Sequence, residues 1–214
     1  MEKGDRTKLA IYNKAKELFA EKGYKGTTMR EVTQALDLQP SWISYYFKQK
    51  SNIANEIILE TIDNIFKRMD SAAGDIENPL LRRFVHMRLH YKVIVKDKAN
   101  ARFISEMSSI DDFVKVTRKR LEHSVAEIAS YYGIEKSKEE IEFYTDMSLA
   151  AFYMVWQRYY EDTYSDLSED SISLDPSKIF ALLLGINSDA LNTLAERSKE
   201  IADKIDVSDI KLLR

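Results

Sequence analysis

Between Thr28 and Lys50 the chain reads TMREVTQALDLQPSWISYYFKQK. None of these side chains is arranged for bond making, but many suit non-covalent recognition. Gln39, Ser41, Ser44 and Tyr45 offer neutral hydrogen-bonding groups, and Trp42 and Tyr45 offer flat apolar faces. Around them stand the cations Lys25, Arg30, Lys48 and Lys50 and the hydroxyls of Thr27, Thr28 and Tyr46. Cations and hydroxyls of this kind hold phosphates, which positions a protein on a duplex, while neutral groups and apolar faces read base edges. The stretch from Asp37 to Phe47 contains neither Lys nor Arg, so the commonest specific contact, to guanine, is missing. Gln39 on an adenine edge, with Trp42 and Tyr45 on thymine methyls, leads to an expected contact zone that leans towards A·T. The competing role for Trp42 and Tyr45 is packing against the first helix. Ile43 and Phe47 already hold the inward spacing, which favours exposure of Trp42 and leaves Tyr45 open.

A second group of candidates lies further along. His86 and His90 are four apart, on one helical face, and a pair so placed can offer two imidazoles to a metal. No HExxH pattern or nearby acid completes such a set, so no metal and no cofactor are expected. Aromatic and methionine side chains are dense in the same region. Met87, Phe103, Met107, Tyr144, Met147, Phe152 and Trp156, with the two histidines, are candidate lining for a pocket that takes a small, largely apolar molecule. Ordinary core packing is the alternative for each of them. There is no nucleophile–base–acid constellation and no phosphate loop, so an enzyme is not expected.

These groups need a helical frame. Gly (6) and Pro (3) are scarce in the 214 residues, strand-like alternation is absent, and apolar residues recur every three or four positions. An all-α chain follows. Cysteine is absent, which removes thiol chemistry and fits a reducing compartment. No leader peptide and no stretch of ~18 apolar residues is visible, so a cytoplasmic protein without a membrane span is expected. The net charge of −3 hides an asymmetry. Residues 1–50 hold 10 Lys/Arg against 6 Asp/Glu, and residues 51–214 hold 22 against 29. A basic end on an acidic body suits a polyanion bound at one end.

The spacing predicts helices over 7–22, 28–36, 40–47, 51–71, 79–96, 98–108, 111–132, 137–163 and 176–203. Gly23 stands where a helix C-cap is wanted. Thr28 with Glu31 reads as a capping box, Pro40 suits the first position of the third helix, and Ser51 is the expected cap of the fourth. Lys3, Arg6 and Thr7 read as a short basic arm or, more simply, a disordered tail. The run 164–175, with four acids, four serines and no base, reads as a solvated mobile loop. The two last helices are apolar on more than one side. Their spare faces suit an isologous four-helix interface between two copies of the chain, through about 137–163 and 176–203; one large intramolecular core is the alternative.

The run LFAEKGYKGTTMREVTQAL…ISYYFKQKSNIANEII resembles the N-terminal domain of TetR-type transcriptional repressors, through Phe19, Gly23, Tyr24, Thr28, Tyr46, Phe47, Lys48 and Lys50. The resemblance covers about residues 7–58; the rest is similar only in architecture. Three positions depart from it: Asp37 where the turn usually has Gly, Gln39 where Ser usually caps the third helix, and Ser44 where Tyr is usual. Asp tolerates positive φ better than most residues, so the turn is expected to survive. The resemblance implies a three-helix head at 1–50 with a helix-turn-helix, and a helical ligand-binding and dimerisation body at 51–214. It implies a homodimeric repressor of a palindromic operator in double-stranded DNA, released by a small-molecule effector, with the fourth helix as the lever. Activation through the same parts, and a small-molecule carrier whose head no longer binds DNA, are the alternatives.

Overall fold

The computed structural model describes residues 3–74, 76–164 and 166–214. Its described residues form α-helices and no strands. The head comprises α1 (Lys3–Lys22), α2 (Met29–Gln34) and α3 (Ser41–Tyr46). Ile11, Ala15 and Phe19 of α1 meet Val32, Ile43 and Phe47 in its core. The capping box is present: Thr28 Oγ1 accepts from Glu31 N, and the Glu31 carboxylate accepts from Thr28 N. Asp37 carries the turn at φ 54°. Gly23, at φ 79°, closes α1. It has a second reason to be glycine, because a Cβ there would stand 2.7 Å from the Glu106 carboxylate of the body.

The body begins with α4 (Lys50–Ala73), followed by α5 (Pro79–His90), a π-helical turn at Tyr91–Val95, α6 (Lys98–Met107), α7 (Asp111–Tyr131) and α8 (Lys138–Tyr160). α5 is the axis of the body. It is buried from Phe84 through His90, polar residues included. α4, α7 and α11 (Ser188–Ala202) pack around it. α8 packs against α6, α7 and α10 (Asp175–Leu183).

Several expectations are corrected. The first helix starts at Lys3, four residues early, so the expected tail is helical; the Lys3 side chain is outside the described set. The N-cap of α4 is Gln49, whose amide reaches Asp112 at 2.8 Å; Ser51 is buried inside the helix. The run 164–175 is not a solvated loop throughout. It contains α9 (Glu169–Ser173), and Ile172 and Leu174 are core residues. Acidic composition misleads here because Asp170 has a buried partner: the Arg88 guanidinium, 3% exposed, binds it through both terminal nitrogens. Arg88 also donates to Ser198 Oγ and to the Ala195 carbonyl. The expected helix 176–203 is broken. Gly185 takes φ 87°, Asn187 caps α11, and the chain turns between two shorter helices. An apolar 3.6-residue period runs through the break because both helices bury apolar stripes, so periodicity alone could not show it.

The Arg88–Asp170 pair carries an asymmetric expectation. Asp170 lies nearer to water, so Arg88→Met lets the carboxylate rehydrate. Asp170→Ala leaves a buried guanidinium uncompensated and should cost more, about 3 kcal/mol against about 1–2. Chemical denaturation of the two variants measures the difference, and equal losses contradict this assignment of roles.

Candidate nucleic-acid interface and body cluster

The third helix is amphipathic over only six residues. Ile43 is buried within it, and Phe47 just beyond its end. The remaining face carries Gln39, Ser41, Trp42, Ser44 and Tyr45, all exposed. The structure therefore brings the five candidate base-reading groups onto one accessible surface. Tyr45 is 75% exposed, so the alternative of packing against α1 does not hold for it. Trp42 is intermediate in character. It is 38% exposed and stacks on Tyr46 with 5.6 Å between ring centres, while Tyr45 meets Tyr46 edge-on at 4.8 Å. The aromatic trio gives a short helix a rigid outer surface.

The candidate phosphate binders divide. Lys25, Thr28, Arg30 and Lys48 are exposed, and Tyr46 is half-buried. Thr27 is 1% exposed, and its hydroxyl donates to the Gly23 and Leu18 carbonyls. Lys50 also turns inwards. Its ammonium donates to the carbonyls of Tyr24 (2.8 Å) and Thr27 (2.9 Å) and lies 4.1 Å from the centre of the Tyr24 ring. Burial holds its pKa below the usual lysine value, although Glu106 pulls the other way. Both side chains tie the α1–α2 loop together. Lys48 differs from every other cation here: it stands at φ 65°, where a residue with a Cβ is strained by about 1–2 kcal/mol.

Head and body meet through aromatic faces. Phe103 of α6 stacks on Phe19 at 5.1 Å between centres and meets Tyr24 edge-on at 6.4 Å. Glu106 Oε2 accepts from the Lys25 backbone N–H at 2.7 Å, and Arg102 Nη2 donates to the Ala20 carbonyl at 3.0 Å. The sequence reading singled out Phe103 as pocket lining and did not single out Arg102 or Glu106. No local pattern marks a contact between α1 and a helix eighty residues away.

The other candidate pocket residues are only partly assembled. His86, His90, Phe152 and Trp156 form one cluster: His86 and His90 lie 5.9 Å apart, His90 stacks on Trp156 at 4.9 Å, and Trp156 meets Phe152 at 5.3 Å. Phe66 joins by stacking on His86 at 4.1 Å. Phe103 and Met107 are fully buried on α6, and Met87 is buried on α5. Tyr144 sits near Phe143 and beneath Lys136. Met147 is on the outer surface. The sequence reading passed over Arg83, which belongs to the cluster and lies 5.5 Å from the ring centres of Phe152 and Phe180. Among the described residues no group of three or more His, Cys, Asp or Glu side chains is placed to hold a metal.

Burial keeps both histidines neutral. The His90 pKa is pushed down to about 3 by burial and then by the Arg83 charge. His86 is held well below its usual value by burial first, then by His90 and Arg83. In the unfolded chain each would titrate near the ordinary value of about 6.5. Below that pH the unfolded state takes up protons that the fold refuses. The stability from neutral imidazoles is therefore complete above about pH 6.5 and is lost as pH falls. The free energy of unfolding should drop between pH 7 and pH 5, by up to about 1.4 kcal/mol per pH unit for each histidine, the thermal midpoint should fall with it, and a His86→Phe/His90→Phe variant should flatten that slope.

The head offers a paired expectation. Lys50→Met should destabilise the head by about 1–2 kcal/mol through two lost charge-assisted hydrogen bonds. Lys48→Gly should leave the thermal midpoint unchanged or higher, because glycine relieves the strain, while removing one cation from the exposed face. If Lys48 meets a phosphate, the salt slope of duplex binding falls by about one in that variant.

Comparisons with known proteins agree with this geometry. Residues 11–57 match the family of bacterial regulatory proteins of the tetR type. A probable HTH-type transcriptional regulator, YttP of Bacillus subtilis (strain 168), is 36% identical over 70 residues. That match covers 33% of this chain and only 34% of YttP, so this chain spans about a third of that relative's length in the match. The body is matched by fold alone. A full-length tetR regulator from Streptomyces fradiae, tylp, superposes with a TM-score of 0.57 over 95% of this chain and 99% of its own, at 14% identity. Residues 11–57 are thus a tetR-type head, and the whole chain shares its all-helical fold with a full-length regulator of that type.

Proposed function

We propose that the chain is a homodimeric transcriptional repressor that binds a palindromic operator through α3 and releases it when a small molecule enters the body. One observation carries the DNA reading: Gln39, Ser41, Trp42, Ser44 and Tyr45 are all exposed, and so are the cations Lys25, Arg30 and Lys48 of the same head. A soluble helical domain has no folding reason to keep Trp42 and Tyr45 at its surface.

The dimer reading is supported by apolar side chains that the monomer leaves uncovered. Phe143 (60% exposed), Met147 and Met154 form a stripe on α8, and Leu182 and Leu183 stand exposed on α10, which packs beside it. α11 buries Leu191, Ala195 and Ala202, and it packs on α5. The proposed interface is therefore built on α8 and α10, narrower than the 137–163 and 176–203 expected from periodicity.

Effector response needs a mechanical link, and α6 supplies one. It packs on α8 within the body and grips the head through Arg102, Phe103 and Glu106. Two heads on successive major grooves must stand ~34–36 Å apart, so a small shift of α6 and α4 together is enough to lose one half-site. A coupling of ~1–3 kcal/mol is typical of such systems.

An unbiased selection of duplex DNA with the purified protein tests this reading. The expected product is a palindrome whose contacted positions are A·T-rich and whose affinity falls steeply with salt. G·C-rich contacts overturn the readout assigned to Gln39, Trp42 and Tyr45. A flat salt response without an enriched sequence favours a small-molecule carrier instead. Met154→Asp should yield a monomer in sedimentation that keeps its helix content and loses the palindrome preference; a variant that remains dimeric moves the interface elsewhere.

A further inference from the structure

Arg83 is a partly buried cation whose Nε lies in the core, and the folding of the body leaves it without a counter-charge. Its Nε is buried with no hydrogen-bond partner, and among the described residues no carboxylate pairs with it. Arg88, on the same helix, shows what a structural arginine requires here: a carboxylate, a hydroxyl and a carbonyl. Arg83 has instead only the faces of Phe152 and Phe180, each 5.5 Å from its guanidinium carbon. Cation–π contact offsets part of the desolvation cost but leaves the N–H groups unused.

The neighbours repeat the pattern. Trp156 Nε1 is a buried donor without an acceptor, and His86 Nε2 and His90 Nδ1 are buried without partners. These residues are linked ring to ring between α5 and α8, and Arg83 extends the cluster to Phe180 of α10. The charges that bear on the two imidazoles are all positive: Arg83 on both, with Arg82 and Arg120 also on His86. Two unpartnered N–H donors and two neutral imidazoles thus stand among apolar rings, and the component the cluster lacks is an acceptor with a negative charge.

We propose that this cluster is the effector site of the body and that it takes an organic carboxylate carried on an apolar or aromatic skeleton. The proposal rests on the ligand-responsive reading above. The carboxylate pairs with the Arg83 guanidinium, which is built for two parallel hydrogen bonds to such a group. The Trp156 indole donates a further bond, and the skeleton lies against Phe152 and Phe180. A neutral analogue is rejected because it leaves the guanidinium unpaired. A bare inorganic anion gains the charge contact but not the apolar walls. The site has an outlet to the head, because Phe152 and Trp156 belong to α8, on which α6 packs.

The chain has two tryptophans, so Trp42→Phe leaves Trp156 as the only one and its emission as a local reporter. The full chain carrying that change is titrated with phenylacetate and decanoate, with the matching amides, and with chloride and acetate. At least one of the two larger carboxylates is expected to alter Trp156 emission and to bind tenfold or more tightly than its amide. Arg83→Met, whose folding is checked by its thermal midpoint, is expected to bring that ratio below threefold. Arg83→Lys keeps the charge without the planar fork and is expected to fall between them. Absence of carboxylate binding, equal binding of the amides, equal binding of acetate or chloride, or a preference that survives in Arg83→Met overturns the site. Operator binding and its release are measured separately on the chain with Trp42 intact. Carboxylate binding without operator release overturns the ligand-responsive reading and leaves the site standing. Operator binding without any carboxylate binding overturns the site and leaves the DNA reading standing.

Discussion

The organisation of the body follows from burying α5 along most of its length, fully from Phe84 through His90. A helix that contains Arg83, His86, Arg88 and His90 cannot enter a core without providing for four polar side chains, since an unpaired buried charge costs several kcal/mol. The structure answers in two ways. Arg88 is fully provided for, and that provision folds an acidic, serine-rich stretch into α9 and holds α11 against α5. The histidines are provided for by staying neutral and stacking on Phe66 and Trp156. Arg83 remains the exception, held only by aromatic faces.

The same logic separates tying from reading in the head. Two of the residues that a surface reading assigns to phosphate, Thr27 and Lys50, use their donors on carbonyls of the α1–α2 loop. Rigidity at that loop keeps α2 and α3 at a fixed angle to α1, which a six-residue recognition helix cannot secure alone. Lys48 represents the opposite balance, with its charge kept at a backbone position that glycine would occupy without strain. Strain of this kind is tolerated where a side chain is needed at one place in space.

Head and body are not independent beads on a string. Phe19, Tyr24 and Phe103 share one aromatic contact, and the Glu106 carboxylate fills the space that Gly23 leaves open. Gln49 adds a bond to the first turn of α7. α4 is thus the covalent link between the two parts, while α6 is the link made by packing. A shift of α8 would reach the head through the second as well as the first.

Local chemistry made much of this legible in the chain itself. Thr28 with Glu31, Gly23 and Asp37 specify caps and a turn from neighbours within a few residues, and each behaves as its type requires. The inward spacing of Ile43 and Phe47 leaves the other face of α3 outside, so the exposed residues of α3 could be named from periodicity. What the sequence could not settle depends on partners distant along the chain. An acidic stretch folds only because Arg88 lies 82 residues before Asp170. A continuous apolar period hides the turn at Gly185, because α10 and α11 each bury a stripe against different neighbours. The Glu106 contact at Gly23 and the unpaired Arg83 are equally invisible, since charge and size are written in the sequence whereas burial and pairing exist only once helices from different parts of the chain have met.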